Sequence, residues 1–234
     1  MKKAITLSAV TLALLVAGAS GVSAETSQTV NQSTGTIGLI ANTTAPPDIT
    51  NPEVPGRTGT RGPEGALAID YVSNLDFGEK HQISSKTETY YANADTTAFN
   101  DTPVRAFVEI HDLRGLGSGP HNGTQLNVKL EQFKNDEAKI IKGVTLRFPS
   151  GTAANAGGGD IKPTAKADFT LEPGVATNVM STDGTPGQFL TSYGKAANYK
   201  GDTAQEPISL SVPSGSALAG DFSTTLQWYL ITAP

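Results

Sequence analysis

Apolar and polar residues alternate with period two along most of this chain, which is the spacing of half-buried strands. Leu67, Ile69 and Tyr71 alternate with Ala66, Ala68 and Asp70. Val104, Ala106, Val108 and Ile110 alternate with Arg105, Phe107, Glu109 and His111. Leu126, Val128 and Leu130 alternate with Gln125, Asn127 and Lys129, and Ile208, Leu210 and Val212 repeat the pattern. Further short strands are predicted at Tyr90-Tyr91, around Val144, Leu146 and Phe148, and at Phe169 and Leu171. The last strand carries Phe222, Leu226, Trp228 and Leu230 on one face and Gln227 and Tyr229 on the other. A strand this apolar predicts docking that closes the fold, with Trp228 as a core residue.

Turn residues separate these runs, so the prediction is an all-β, antiparallel sandwich or barrel in a single domain, with long loops and little helix. Residues 130–142 form the one charge-rich, glycine-free stretch that could wind a turn of helix. Residues 151–166, with Gly157-Gly158-Gly159, and residues 181–202 read as long mobile loops.

The N-terminal part follows different rules. Lys2 and Lys3 precede an apolar run from Ala4 to Ala17, and Val22-Ser23-Ala24 supplies small residues at a cleavage position. Residues 1–24 are therefore expected to be a secretory signal peptide, shorter than a membrane span. Residues 25–62 read as a polar segment, one short strand around Ile37 and Leu39, and a spacer rich in proline (Pro46, Pro47, Pro52, Pro55). Residues 63–234 hold the β domain. No later apolar run and no Leu-Pro-x-Thr-Gly sequence predicts a membrane or covalent wall anchor.

Composition narrows the partners. The chain has 17 basic and 22 acidic side chains and no cysteine. Loss of Lys2 and Lys3 with the signal peptide leaves 15 against 22, a formal charge of −7. That balance argues against nucleic acid, which recruits basic patches. It also argues against global attraction to anionic wall polymers, so any wall contact must be local. Without disulfides the exported fold relies on its core.

No nucleophile elbow, phosphate loop, zinc-protease helix or dinucleotide fingerprint is present, and the chain is expected to be non-enzymatic, with no cofactor and no metal. His81, His111 and His121 are scattered and lack cysteine partners. Asp112 and Arg114, two apart at a strand end before Gly115, are placed to pair or to cap the turn. Among the aromatics, Tyr229 faces away from Trp228 and is a candidate for exposed contact with a flat sugar ring.

The ending resembles the WxL domain, a surface module of Gram-positive bacteria. The family's distal pattern, aromatic-x-x-x-aliphatic-x-Trp-x-Leu-x-x-x-Pro, is met by Phe222, Leu226, Trp228, Leu230 and Pro234. A proline-rich stretch before Leu67-Ala-Ile69-Asp70-Tyr71 and the Asp112-x-Arg114-Gly115 turn are also similar, over about residues 34–234. The chain departs from the family at Phe222, usually Tyr, and at Gln227, usually Thr. It departs again where the first Trp-x-Leu is expected: Thr124-Gln125-Leu126 stands there, with Thr124 for tryptophan. The resemblance implies non-covalent attachment to peptidoglycan, with Trp228, Leu230, Asp112 and Arg114 as the wall-binding motif. It also implies assembly with other surface proteins, including a membrane-anchored WxL-interacting partner, and contact with host extracellular matrix.

Overall fold

The computed structural model describes residues 34–44, 46–54, 58–194, 199 and 207–232. The expected signal peptide (residues 1–24), Pro55 and Pro234 lie outside them. Fourteen strands and no helix occur among the described residues. They are β1 (Asp48–Thr50), β2 (Thr58–Arg61), β3 (Leu67–Val72), β4 (Glu88–Tyr91), β5 (Phe107–Asp112), β6 (Thr124–Leu130) and β7 (Thr145–Phe148). The series continues with β8 (Gly151–Asn155), β9 (Thr164–Ala165), β10 (Phe169–Leu171), β11 (Ala176–Thr182), β12 (Gly187–Tyr193), β13 (Ser209–Val212) and β14 (Leu226–Thr232).

Three four-stranded antiparallel sheets form the body, in the orders β3-β5-β12-β8, β14-β6-β11-β9 and β10-β7-β13-β4, while β1 and β2 pair separately. Each sheet is open, so the all-β expectation is met as a sandwich-like stack and not as a closed barrel. The alternating positions do face a common interior. Val108 and Ile110 of β5, Leu126, Val128 and Leu130 of β6, Leu146 and Phe148 of β7 and Leu210 and Val212 of β13 share one buried core. Phe148 and Phe169 stack at 4.8 Å, with the Tyr193 ring edge-on to both.

Four expectations need correction. Residues 187–193 are not a mobile loop: β12 lies between β5 and β8, and every residue from Gln188 to Tyr193 is buried. A strand covered on both faces shows no alternation, and its Gln, Thr and Ser disguise it further. Residues 151–155 likewise form β8 on the edge of that sheet. The predicted strand at Ile37 and Leu39 is absent. Neither lies in a strand, and with Ile40 they are 84%, 85% and 96% exposed. Finally, the described part of residues 46–61 is not a free spacer, because Ile49 is fully buried with Phe99, Val104 and Phe107. Prolines remove donors around β1 without preventing Ile49 from docking.

Candidate functional site

β14 is the outermost strand of its sheet and pairs only with β6 among the described strands. Glu131 N–H donates to Thr225 O at 2.9 Å, just before the β14 ladder begins. Alternation from that bond turns the backbone groups of Gln227, Tyr229 and Ile231 toward β6, and those of Leu226, Trp228 and Leu230 toward the open edge. Side chains alternate in the perpendicular direction. Leu226, Trp228 and Leu230 are half-buried and pack on the core, whereas Gln227, Tyr229 and Ile231 are exposed. Trp228 lines a small apolar cleft with Leu75, Phe107, Phe148, Ile208 and Leu226. It is thus a partly covered residue of the sandwich rim and not one of its fully enclosed residues.

The opposite face is mostly polar, exposed at Gln227, Tyr229 and Gln125 and buried at Asn127. Tyr229 stands beside Asn127, which stands beside Asn178 on β11. The flanking rows are Gln227, Lys129 and Ala176 on one side and Ile231, Gln125 and Ser181 on the other. Tyr229 is 37% exposed and supplies an aromatic ring with a hydroxyl, among carboxamides and without an acidic side chain in these rows. Adjacent strands run about 4.8 Å apart, so one row crosses about 10 Å of surface. Asn178 is committed to the bulge of β11. Its Nδ2 donates to Leu126 O and Met180 O, both at 3.3 Å, and its Oδ1 accepts from Ser181 Oγ.

Asp112 and Arg114 do pair. Arg114 Nε donates to Asp112 Oδ1 at 2.9 Å and Nη2 donates to Oδ2 at 2.6 Å, a bidentate fork. The same Nη2 reaches Thr124 Oγ1 at 2.7 Å and Asn122 O at 3.1 Å. Asp112 holds the guanidinium pKa above its ordinary value through this bond, against a smaller opposing effect of burial. Gly115, with φ of 71°, makes the turn that brings Arg114 back to its own strand end. Thr124 is 1% exposed and occupies the start of β6 as the third member of a polar lock. The lock joins two sheets, since Asp112 ends β5 and Thr124 begins β6.

These contacts fix where the residues singled out from the sequence lie. Asp112, Arg114 and Thr124 meet at one end of the sandwich. Trp228, Tyr229 and Leu230 lie along β14, whose far end, Thr232, is the cross-strand partner of Thr124. In the sequence His111 is only one of three scattered histidines, yet it is fully buried in a second network with Asp70 and Glu109. Strand alternation puts it on the outward side, and no local signal marks the cover that buries it. His81 lies against the Tyr90 ring at 4.3 Å, and His121 is exposed. No group of three potential ligands that could hold a metal occurs among the described residues.

A family model described as WxL domain, surface cell wall-binding, matches residues 22–234. The chain belongs to this family. The match takes in β1 to β14 and so all three sheets of the WxL domain. It supports cell-wall association in general, and no helix among the described residues is long and apolar enough to cross a membrane. No curated protein and no solved structure matches the chain.

Proposed function

We propose that the chain is an exported, non-enzymatic protein that attaches non-covalently to the Gram-positive wall and touches peptidoglycan through the outer face of β14, β6 and β11. One observation carries this reading: Tyr229 stands exposed beside the exposed Gln227 of its own strand and Gln125 of β6, opposite the half-buried Trp228. A tyrosine ring offers a flat apolar surface with a hydroxyl at its rim, and carboxamides both donate and accept. Sugars carrying acetamido and hydroxyl groups suit that combination. The face carries no acidic group in its three rows, so a chain of net negative charge can still approach an anionic wall there. Trp228 and Leu230 then support the face from behind, and the Asp112–Arg114–Thr124 lock fixes the end of β6.

A second reading is favoured by Ile37, Leu39 and Ile40, three apolar side chains left open to solvent. In that reading the domain is an interaction subunit. It binds another surface protein, such as a membrane-anchored WxL-interacting partner, or host matrix, and reaches the wall through it. Co-sedimentation of the purified mature chain with purified peptidoglycan, with and without candidate partners, separates the two. Direct attachment predicts pelleting with peptidoglycan alone. Pelleting only when a partner is added would establish the interaction subunit instead.

A further inference from the structure

A sheet edge is a row of unpaired N–H and C=O groups, and folded chains ordinarily blunt it by shortness, charge, proline or a bulge. The other outer strands of the three large sheets follow that rule or offer nothing apolar to a partner. β9, β10 and β4 have two, three and four residues. β3 carries Asp70 and a register shift between Ile69 and Tyr71. β8 consists of glycine, threonine, alanine and asparagine, with no large apolar side chain. β14 is the exception. Its seven residues, Leu-Gln-Trp-Tyr-Leu-Ile-Thr, include no charge and no proline, and they pair with β6 residue for residue without a bulge. Among the described residues, no hydrogen bond from another strand or loop reaches the backbone groups that Leu226, Trp228 and Leu230 turn to the open side.

The apolar pattern of this strand reads alike from both ends. Leu226 and Leu230 are symmetric about Trp228. A second copy turned end for end therefore sets Leu226 against Leu230 and Trp228 against its own counterpart, the self-complementarity that a two-fold contact requires. The residues whose backbone faces outward are these same three, so this register gives each of them a hydrogen-bonded partner in an antiparallel ladder. Their side chains, half-buried at the rim beside Leu75 and Ile208, gain from the copy the cover that the fold lacks there. Charge permits the approach. Without residues 1–24 the chain has 15 basic and 22 acidic side chains, so copies repel one another overall. Residues 222–234, however, include no charged side chain, and the strips that meet are neutral.

We propose that two copies of this chain associate through their β14 strands, antiparallel about a two-fold axis at Trp228, so that two four-stranded sheets become one of eight. Each copy supplies the outer strand that the other lacks. On the polar face Tyr229 of one copy then stands opposite Gln227 of the other, and the exposed rows of both join in one surface. One strand pair is a small contact beside the ~1,200–2,000 Å² of stable complexes, so the free protein exchanges between monomer and dimer. Copies held side by side on a surface meet at a higher effective concentration, which strengthens the pairing. The association needs only the open edge and does not rest on Tyr229 touching peptidoglycan.

The chain has no cysteine, so introduced thiols report on this register alone. Gln227 and Tyr229 of opposite copies form a pair without backbone hydrogen bonds between them, with Cα atoms about 4.5 Å apart, within the reach of a disulfide. Like positions in the two copies are diagonal neighbours, at about 7–8 Å, and do not bridge. Gln227→Cys and Tyr229→Cys both change exposed side chains, so each variant should fold. Mixed in equal amounts under mild oxidation, they should give the mixed disulfide dimer about tenfold faster than either gives a dimer alone. Thr225→Cys with Ile231→Cys, the next exposed pair in the same register, repeats the test if either of the first variants fails to fold. Sedimentation equilibrium of the unaltered chain should show a mean mass that climbs from one chain toward two between about 5 and 500 µM. A chain that remains monomeric across that range, or a mixture that crosslinks no faster than its components, would overturn the proposal and leave the β14 edge to a strand of another protein. Both readouts are taken without peptidoglycan, so they stand or fall apart from the wall contact.

Discussion

Leu230 and Leu126 are direct cross-strand partners in the β14–β6 ladder. One is the leucine of Trp228-x-Leu230, the other the leucine of Thr124-x-Leu126, so the motif and its altered counterpart are built against each other. Because the strands are antiparallel, Trp228 and Thr124 fall on opposite sides of that leucine pair: Trp228 faces Val128 and Thr124 faces Thr232.

This arrangement sets the cost of removing Trp228. The indole is half-buried at the rim, so Trp228→Ala is expected to destabilise the domain by about 2–3 kcal/mol, below the ~3–5 kcal/mol typical of an enclosed tryptophan. The variant should therefore fold. Urea titration of both proteins measures the difference, and a loss as large as that of an enclosed residue would show that Trp228 is core after all.

Restoring the family's tryptophan at the altered position should harm this chain. Thr124 is enclosed and bonded to Arg114, so Thr124→Trp both overpacks the start of β6 and removes an acceptor from the guanidinium. A loss of about 2–4 kcal/mol is expected. A Thr124→Trp protein that melts at or above the wild-type temperature would mean that the lock is dispensable.

Much of this fold is legible in the sequence because β3, β6, β13 and β14 each pack one face against the core, and because the second, also buried face of β5 still carries Glu109 and His111, so that an alternation is written into the chain. β12 is not legible because it is buried on both faces, and β1 is not because Ile49 stands alone among prolines. At the site, the Asp112–Arg114 pair can be read from two positions in one turn. The Glu109, His111 and Asp70 cluster cannot. Its cover arrives from residues about 60 positions earlier (Thr50 to Glu109 spans 59), and only that long-range contact turns an outward strand face into an interior one.

Global stability should peak in mild acid. On the acid side, burial alone would raise Asp95, but bonds from Tyr71 Oη at 2.6 Å and Thr97 more than offset it and hold its pKa below 3.8. Its contribution is present above 3.8 and lost as pH falls through the lowered value. Glu109 acts in the reverse sense, its contribution present below 4.5 and lost as pH rises toward about 8. Thermal melts should therefore give a higher midpoint near pH 5 than at pH 3 or pH 8.5. A midpoint that climbs steadily from pH 5 to 8.5 would contradict the buried state of Glu109.

Wall attachment should depend little on salt. Lys129, in a row of the proposed face, is already paired with Glu131 at 3.3 Å. Lys139 and Arg147 are likewise paired, with Glu137 at 2.6 Å and with Asp168 at 2.5 Å. With these charges already partnered, co-sedimentation is expected to fall less than about threefold between low and moderate salt. A steep loss would place a basic cluster, such as the strip between Lys129 and Arg147, at the contact.

The most direct measurement of the contact is co-sedimentation of Tyr229→Ala with purified peptidoglycan, beside a thermal melt of the same protein. Tyr229 is an exposed side chain on an edge strand, so its removal should leave the melting temperature within a few degrees of wild type. A wall contact through the Tyr229 face predicts a protein that melts normally and no longer pellets with the wall. A Tyr229→Ala protein that pellets as well as wild type, while Trp228→Ala stays folded and does not, would move the contact to the other face of β14.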